Sequence, residues 1–254
     1  METDTSHNYQ TAPVAATAPN KVQSLLIPIA IVVGFGLIAA AIFFSGGNNT
    51  PQFALEGTQP TENNRAEPVD NGRPEAVSPV TEDDWVRGDP NAPIVIIEYS
   101  DFNCGFCGQL HDTMKQVIND YGTNGQVAWV YRQFPVLANS AQLSLASECV
   151  GHLGGNEAFW TFSDLLFENQ REITNLPGLA EQAGVSETDF NACMLAETYA
   201  ANVEADSNNA IATGGSGTPH NIVVVGDQAF AVSGAQPYEA FAQIIENLLT
   251  QIEG

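Results

Sequence analysis

Basic residues are scarce in this chain. Seven Lys and Arg stand against 30 Asp and Glu, giving a formal net charge of -23 over 254 residues. Such a surface repels polyanions, so nucleic acid is excluded as an expected partner and adhesion to anionic headgroups is disfavoured. Only two of the cations are lysines, Lys21 and Lys115. Cysteine is also sparse: four in so long a chain do not make the framework of a disulfide-stapled miniature fold. Cys149 and Cys193 stand alone, the histidines are scattered, and no second C-x-x-C falls at ligand spacing. No metal or cofactor is therefore expected. Internal repeats are lacking. Apolar residues, by contrast, make up 44% of the chain, enough for a packed core.

The pattern along the chain divides it into four parts. Residues 1–21 are polar and unpatterned, and are expected to be a disordered cytoplasmic tail. Residues 22–44 are assigned as a transmembrane anchor, because Leu25 to Phe44 runs without a charge for about 30 Å of helix, the thickness of a bilayer core. The rival is a cleaved signal peptide, but the leader is long and nearly uncharged, and Ile42-Phe43-Phe44 continues past Ala39-Ala40-Ala41. Lys21 precedes the span and the next basic residue is Arg65, which points the N-terminus inward and the remainder outside. Residues 45–80, rich in Gly, Asn, Pro and Thr, read as a flexible linker, and 81–254 as the folded domain.

Within that domain Pro93 to Tyr99 is a β-branched apolar run expected to be a buried strand. A helix is expected over Cys104 to Asp120 and a second strand over Gln126 to Phe134, together a βαβ unit. Helices follow over Ser140–Leu153, Glu157–Glu168, Gly178–Gly184, Ser186–Ala196 and Glu197–Ala212. The pattern closes with a hairpin, Asn221–Val225 and Ala229–Val232 about the Gly226-Asp227 turn, and an amphipathic helix from Pro237 to Ile252.

Cys104 and Cys107 fall where the first strand hands over to its helix. A cysteine at a helix N-terminus faces orphan N–H groups and the positive end of the macrodipole, which favour the thiolate. The second cysteine, almost one turn on, can close a disulfide or resolve a mixed one. Cys104 is thus the expected nucleophile and Cys107 the resolving thiol. A metal-binding pair is the alternative.

The run Glu98-Tyr99-Ser100-Asp101-Phe102-Asn103-Cys104-Gly105-Phe106-Cys107 resembles the active-site segment of DsbA-like thioredoxin-fold proteins. Gly217-Thr218-Pro219 resembles that family's cis-proline loop, and Val86 to Pro93 its lead-in to the first strand. The resemblance implies an α/β thioredoxin fold with a helical insertion at about 139–200. It implies that Pro219 is cis beside the cysteines, leaving the Thr218 backbone free for an extended substrate; the alternative is an ordinary trans proline. It makes Glu98 a buried acid beneath the resolving cysteine, able to assist proton transfer, whereas a residue at a strand edge would face outward. Two departures bear on redox potential: Gly105 replaces a frequent proline, and His220 follows Pro219.

Cys149 and Cys193 fall on inward faces of the insertion, and are expected either to form a structural disulfide or to remain two buried thiols. His111 is expected on an exposed helix face, and Trp85, Trp129 and Trp160 in the core. Taken together these readings describe a single-pass cell-membrane protein whose outer domain oxidises protein thiols through a Cys104–Cys107 disulfide. Family resemblance implies recycling by a quinone-linked membrane oxidoreductase. A disulfide reductase or isomerase, or a thiol metal-binding module, uses the same residues.

Overall fold

The computed structural model describes residues 76–170 and 173–253. The expected tail and anchor, and the linker up to residue 75, lie outside the described residues. No helix among the described residues is long and apolar enough to cross a membrane. In chain order the elements are β1 (Trp85–Gly88), β2 (Ile94–Ser100), α1 (Gly105–Val117), β3 (Val127–Gln133), α2 (Ser140–Gly154), α3 (Asn156–Glu168), α4 (Leu176–Gln182), α5 (Glu187–Ala196), α6 (Ala200–Ala212), β4 (His220–Val225), β5 (Gln228–Ser233) and α7 (Tyr238–Glu253).

The strands form one sheet in the order β1-β3-β2-β4-β5. β2 and β3 pair in parallel across α1, and the other three pairings are antiparallel. This is the α/β thioredoxin arrangement, with helices α2 to α5 inserted between β3 and the return of the chain to the sheet. Every residue of β3 is buried, as a central strand covered on both faces requires. One face carries Ile94, Ile96, Trp129, Tyr131 and Val223 toward α1, α7 and the insertion. The other carries Ile97, Tyr99, Val130 and Ile222 toward Ala210 of α6. Phe241, Ile245 and Leu248 form the inner stripe of α7, each burial contributing roughly 1.5–3 kcal/mol.

Several boundaries differ from the sequence pattern for local reasons. α1 stops at Val117 and widens into a π turn over Ile118–Gly122, whose Gly122 sits close to Ile118 and the Val127 carbonyl. α6 starts at Ala200, because Glu197 adopts φ 50° and caps α5. β1, not expected as a strand, pairs with β3 and ends at Gly88, where a Cβ would stand 2.6 Å from the Val127 oxygen. Residues 76–80, read with the linker, lie against the domain: Arg132 donates to the carbonyls of Ser78 and Pro79, and Asn209 to that of Ala76. Cys149 of α2 and Cys193 of α5 are joined in a disulfide.

Candidate active site

The turn between β2 and α1 is built around Asp101. Its buried carboxylate accepts from the backbone N–H of Asn103 at 2.8 Å, of Val136 at 2.8 Å and of Leu137 at 2.9 Å, and from the Ser140 hydroxyl. Asn103 in turn donates to the Ala138 carbonyl and to Ser140. These bonds pin the loop after β3 to the residues just ahead of Cys104, and the Cys104 N–H donates to the Asp101 carbonyl. Cys104 is therefore delivered as the N-cap of α1, with extended backbone (φ -81°, ψ 117°).

Cys104 and Cys107 are free thiols, 7% and 0% exposed. Cys104 Sγ lies 3.4 Å from the carbonyl oxygen of Thr218, and the Thr218–Pro219 peptide bond is cis. A hydrogen bond from the Cys107 thiol, against the cost of burial, and further donation from the Thr218 side chain and the N–H groups of Cys107 and Phe106 hold the Cys104 thiol down to about 5. Burial pushes the Cys107 thiol far up, helped by its role as donor to Cys104 and by the nearby Glu98 carboxylate. The helix turn thus holds one thiolate and one firmly protonated thiol. Gly105 has open space where a Cβ would stand. The extended Cys104 backbone also suits a following proline, so the structure would accept the residue that the resemblance leads one to expect there.

Glu98 is wholly buried on the β2 face turned toward α1 and its Cys107. Its Oε2 accepts from the Trp129 indole at 3.0 Å, so that tryptophan is a ligand of the acid as well as a core residue. Burial pushes the Glu98 carboxyl up to about 7. Tyr131 is its register partner on β3, and Ser100 follows it on the same face. Glu98 Oε1, Ser100 Oγ and Tyr131 Oη are buried with no hydrogen-bond partner among the described residues. These three oxygens lie beside the protonated Cys107 thiol and form a polar cluster in which a proton can be held or passed.

Two of the histidines, His111 and His220, are buried. His111, expected on an exposed face, is 2% exposed. The reason is helical spacing: it follows Cys107 by four and precedes Met114 by three, so it shares their inner stripe. Its Nε2 meets Asp164 Oδ1 at 2.6 Å, and Arg87 donates to the same carboxylate. Burial lowers the His111 pKa. His220 is buried beside the Pro219 loop, with Nε2 3.0 Å from Thr213 Oγ1, and burial lowers its pKa as well. Thr218, Pro219 and His220 line a cleft of about 300 Å³ with Ser216 and Gly217. A second cleft, of about 320 Å³ and lined by Arg132, Glu148 and Asp206, includes none of these residues. Cys149 and Cys193 take no part in the site. No cluster of metal-ligating side chains forms among the described residues.

Sequence reasoning missed Gln170 and Tyr131. Gln170 Nε2 donates to the carbonyls of Phe102 and Cys104 at 2.9 and 3.0 Å from the end of α3. Nothing in the local sequence around residue 170 signals that contact.

A family model described as Thioredoxin matches residues 80–247, and the chain belongs to that family. The fold is shared with α-DsbA1 of Wolbachia pipientis (22% identity, TM-score 0.61, 70% of this chain and 96% of that one). It is shared also with oxidised BdbD of Bacillus subtilis (24% identity, TM-score 0.60, 68% and 97%). Among curated proteins, a Na(+)/H(+) antiporter NhaA 1 of Salinispora arenicola is 31% identical over 154 residues, 59% of this chain. This chain spans under a quarter of the length of that relative and of a Salinispora tropica antiporter that it also matches.

Proposed function

We propose that the chain is a membrane-tethered, extracytoplasmic thiol–disulfide oxidoreductase that oxidises protein thiols through a Cys104–Cys107 disulfide. The observation that carries this reading is the opposed pair: Cys104 at the helix N-cap with its thiol held down to about 5, and Cys107 protonated beneath it. In the reaction a substrate thiolate attacks Cys104 Sγ of the disulfide, and Cys107 leaves and takes a proton. A second substrate thiolate then attacks the substrate sulfur of the mixed disulfide and expels Cys104 as a thiolate. The substrate loses two electrons and the enzyme gains them. A stabilised Cys104 thiolate favours the reduced enzyme and hence the oxidising direction. Glu98 receives and returns the Cys107 proton. The Thr218 backbone, beside the sulfur, aligns an extended substrate.

Reoxidation is assigned to a quinone-linked membrane oxidoreductase, and an anchor at residues 25–44 would raise the local concentration for that encounter. After treatment with a membrane-impermeant reductant, a membrane-impermeant alkylating reagent should label Cys104 in protoplasts expressing the chain, and protection from it would place the domain inside. For the chemistry, the oxidised full chain is mixed with a reduced, unfolded two-thiol protein. The expected result is substrate disulfide and reduced Cys104 and Cys107, lost in Cys104→Ser; Cys107→Ala, with Cys104 first converted to its glutathione mixed disulfide as the source of oxidising equivalents, should release glutathione and accumulate mixed disulfides with the substrate. Absence of exchange, or an equilibrium that instead reduces substrate disulfides, contradicts the oxidase reading.

A further inference from the structure

The carbonyl groups that flank the reactive sulfur are held from outside their own turn. Phe102 O and Cys104 O both accept from the single carboxamide nitrogen of Gln170, which stands just past α3 and belongs to the insertion. Cys104 O also accepts the first helical bond of α1, from Gly108 N at 3.1 Å. Two acceptors on one side fix which end of the carboxamide faces them, since only NH2 can serve both. The oxygen end rests over Gly108, where a Cβ would lie 2.8 Å from Gln170 Oε1. The contact therefore depends on a missing side chain at 108 as much as on the amide at 170.

We propose that Gln170 is a positioning residue for Cys104, through which the helical insertion sets the orientation of the nucleophile's peptide groups. A carbonyl dipole swung toward a sulfur anion repels it, whereas N–H groups directed at the sulfur stabilise it. By holding the 102 and 104 carbonyls, the Gln170 donors keep their oxygens turned to the insertion. The Phe106 and Cys107 N–H groups are then left aimed at the sulfur. The same donors neutralise two acceptors close to where negative charge resides, at a net worth of one to two ordinary hydrogen bonds. The role rests on Cys104 being the nucleophile, as proposed above.

The test uses the full chain and the thiolate absorbance of Cys104 as a function of pH. Gln170→Ala removes both donors and should raise the Cys104 titration midpoint by about half a unit to one unit, with about a fivefold shift in the glutathione equilibrium toward a less oxidising enzyme. Gln170→Glu keeps the shape but sets a carboxylate against two carbonyls, and should shift the midpoint further. Gly108→Ala crowds the carboxamide out while favouring the helix. It should reproduce the Gln170→Ala midpoint without loss of thermal stability, and the double variant should shift no further than either single one. An unmoved midpoint in Gln170→Ala and Gly108→Ala, whatever their melting temperatures, overturns the proposal, as do fully additive shifts. If the wild type performs no exchange, the oxidoreductase reading fails, while the midpoint differences still decide the role of Gln170.

Discussion

Cys104 and Cys107 sit within one helix turn, yet their surroundings push the two thiols in opposite directions, and Glu98 stands between these tendencies. With a folded pKa of about 7 against an ordinary 4.5, Glu98 holds its proton more tightly folded than unfolded. Its contribution to stability is therefore fully present below pH 4.5 and is lost as pH rises through 7. Glu98→Gln removes that titration. The variant should unfold at higher urea than the wild type at pH 8, by about 3 kcal/mol, with little difference remaining at pH 4. An equal difference at both pH values would mean that Glu98 does not titrate with folding. His111 works with the opposite sign: its depressed pKa contributes stability above pH 6.5 that is lost as pH falls. At this scale the sequence was informative wherever chemistry announces itself locally. The C-x-x-C pair, Pro219 and the acid at 98 are readable in short runs. The burial of His111 was also there in the i, i+4 spacing, but weighed less than the usual exposure of histidine. Gln170 could not be read, because its bonds span 66 and 68 residues and depend on Gly108 having no side chain.

The elements were legible where hydrophobic period is strong, as in β2, β3, α1 and α7. They were less so where a single backbone conformation decides a boundary, as with Glu197 between α5 and α6, or where a short strand such as β1 depends on its partner β3. The insertion illustrates how long-range ties replace periodicity. α2 and α5 are cross-linked by Cys149–Cys193 with a separation of 44 residues, which in the chain-entropy account stabilises by about 4 kcal/mol. Cys149→Ala/Cys193→Ala should therefore unfold earlier by about that amount. Its Cys104 midpoint should stay put so long as α3 continues to present Gln170. A midpoint that moved with the disulfide would mean that the insertion is held in register by that bond. The Cys104 face of the element pair is in turn open: Phe106 is 64% exposed beside the nucleophile, and the adjoining loop presents Val136 and Leu137.

At the scale of the whole molecule, residues 98–107, 129–131, 170 and 218–219 converge from four stretches of chain, and the parallel β2–β3 pair with its α1 crossover is what brings the first two together. The strong acidity of the chain adds nothing to that convergence; it bears on solubility and on which partners are repelled. The fixing of residues 76–80 by Arg132 and Asn209 places the start of the domain on the sheet face opposite α1. The proposed exchange requires Cys104 to be a thiolate at neutral pH. Its direct measurement is the thiolate absorbance of the reduced full chain titrated from pH 3 to pH 10, with Cys104→Ser as the blank. The expected midpoint is about 5, and it disappears in the blank. A midpoint near 8.5, the value of an unperturbed thiol, would contradict it.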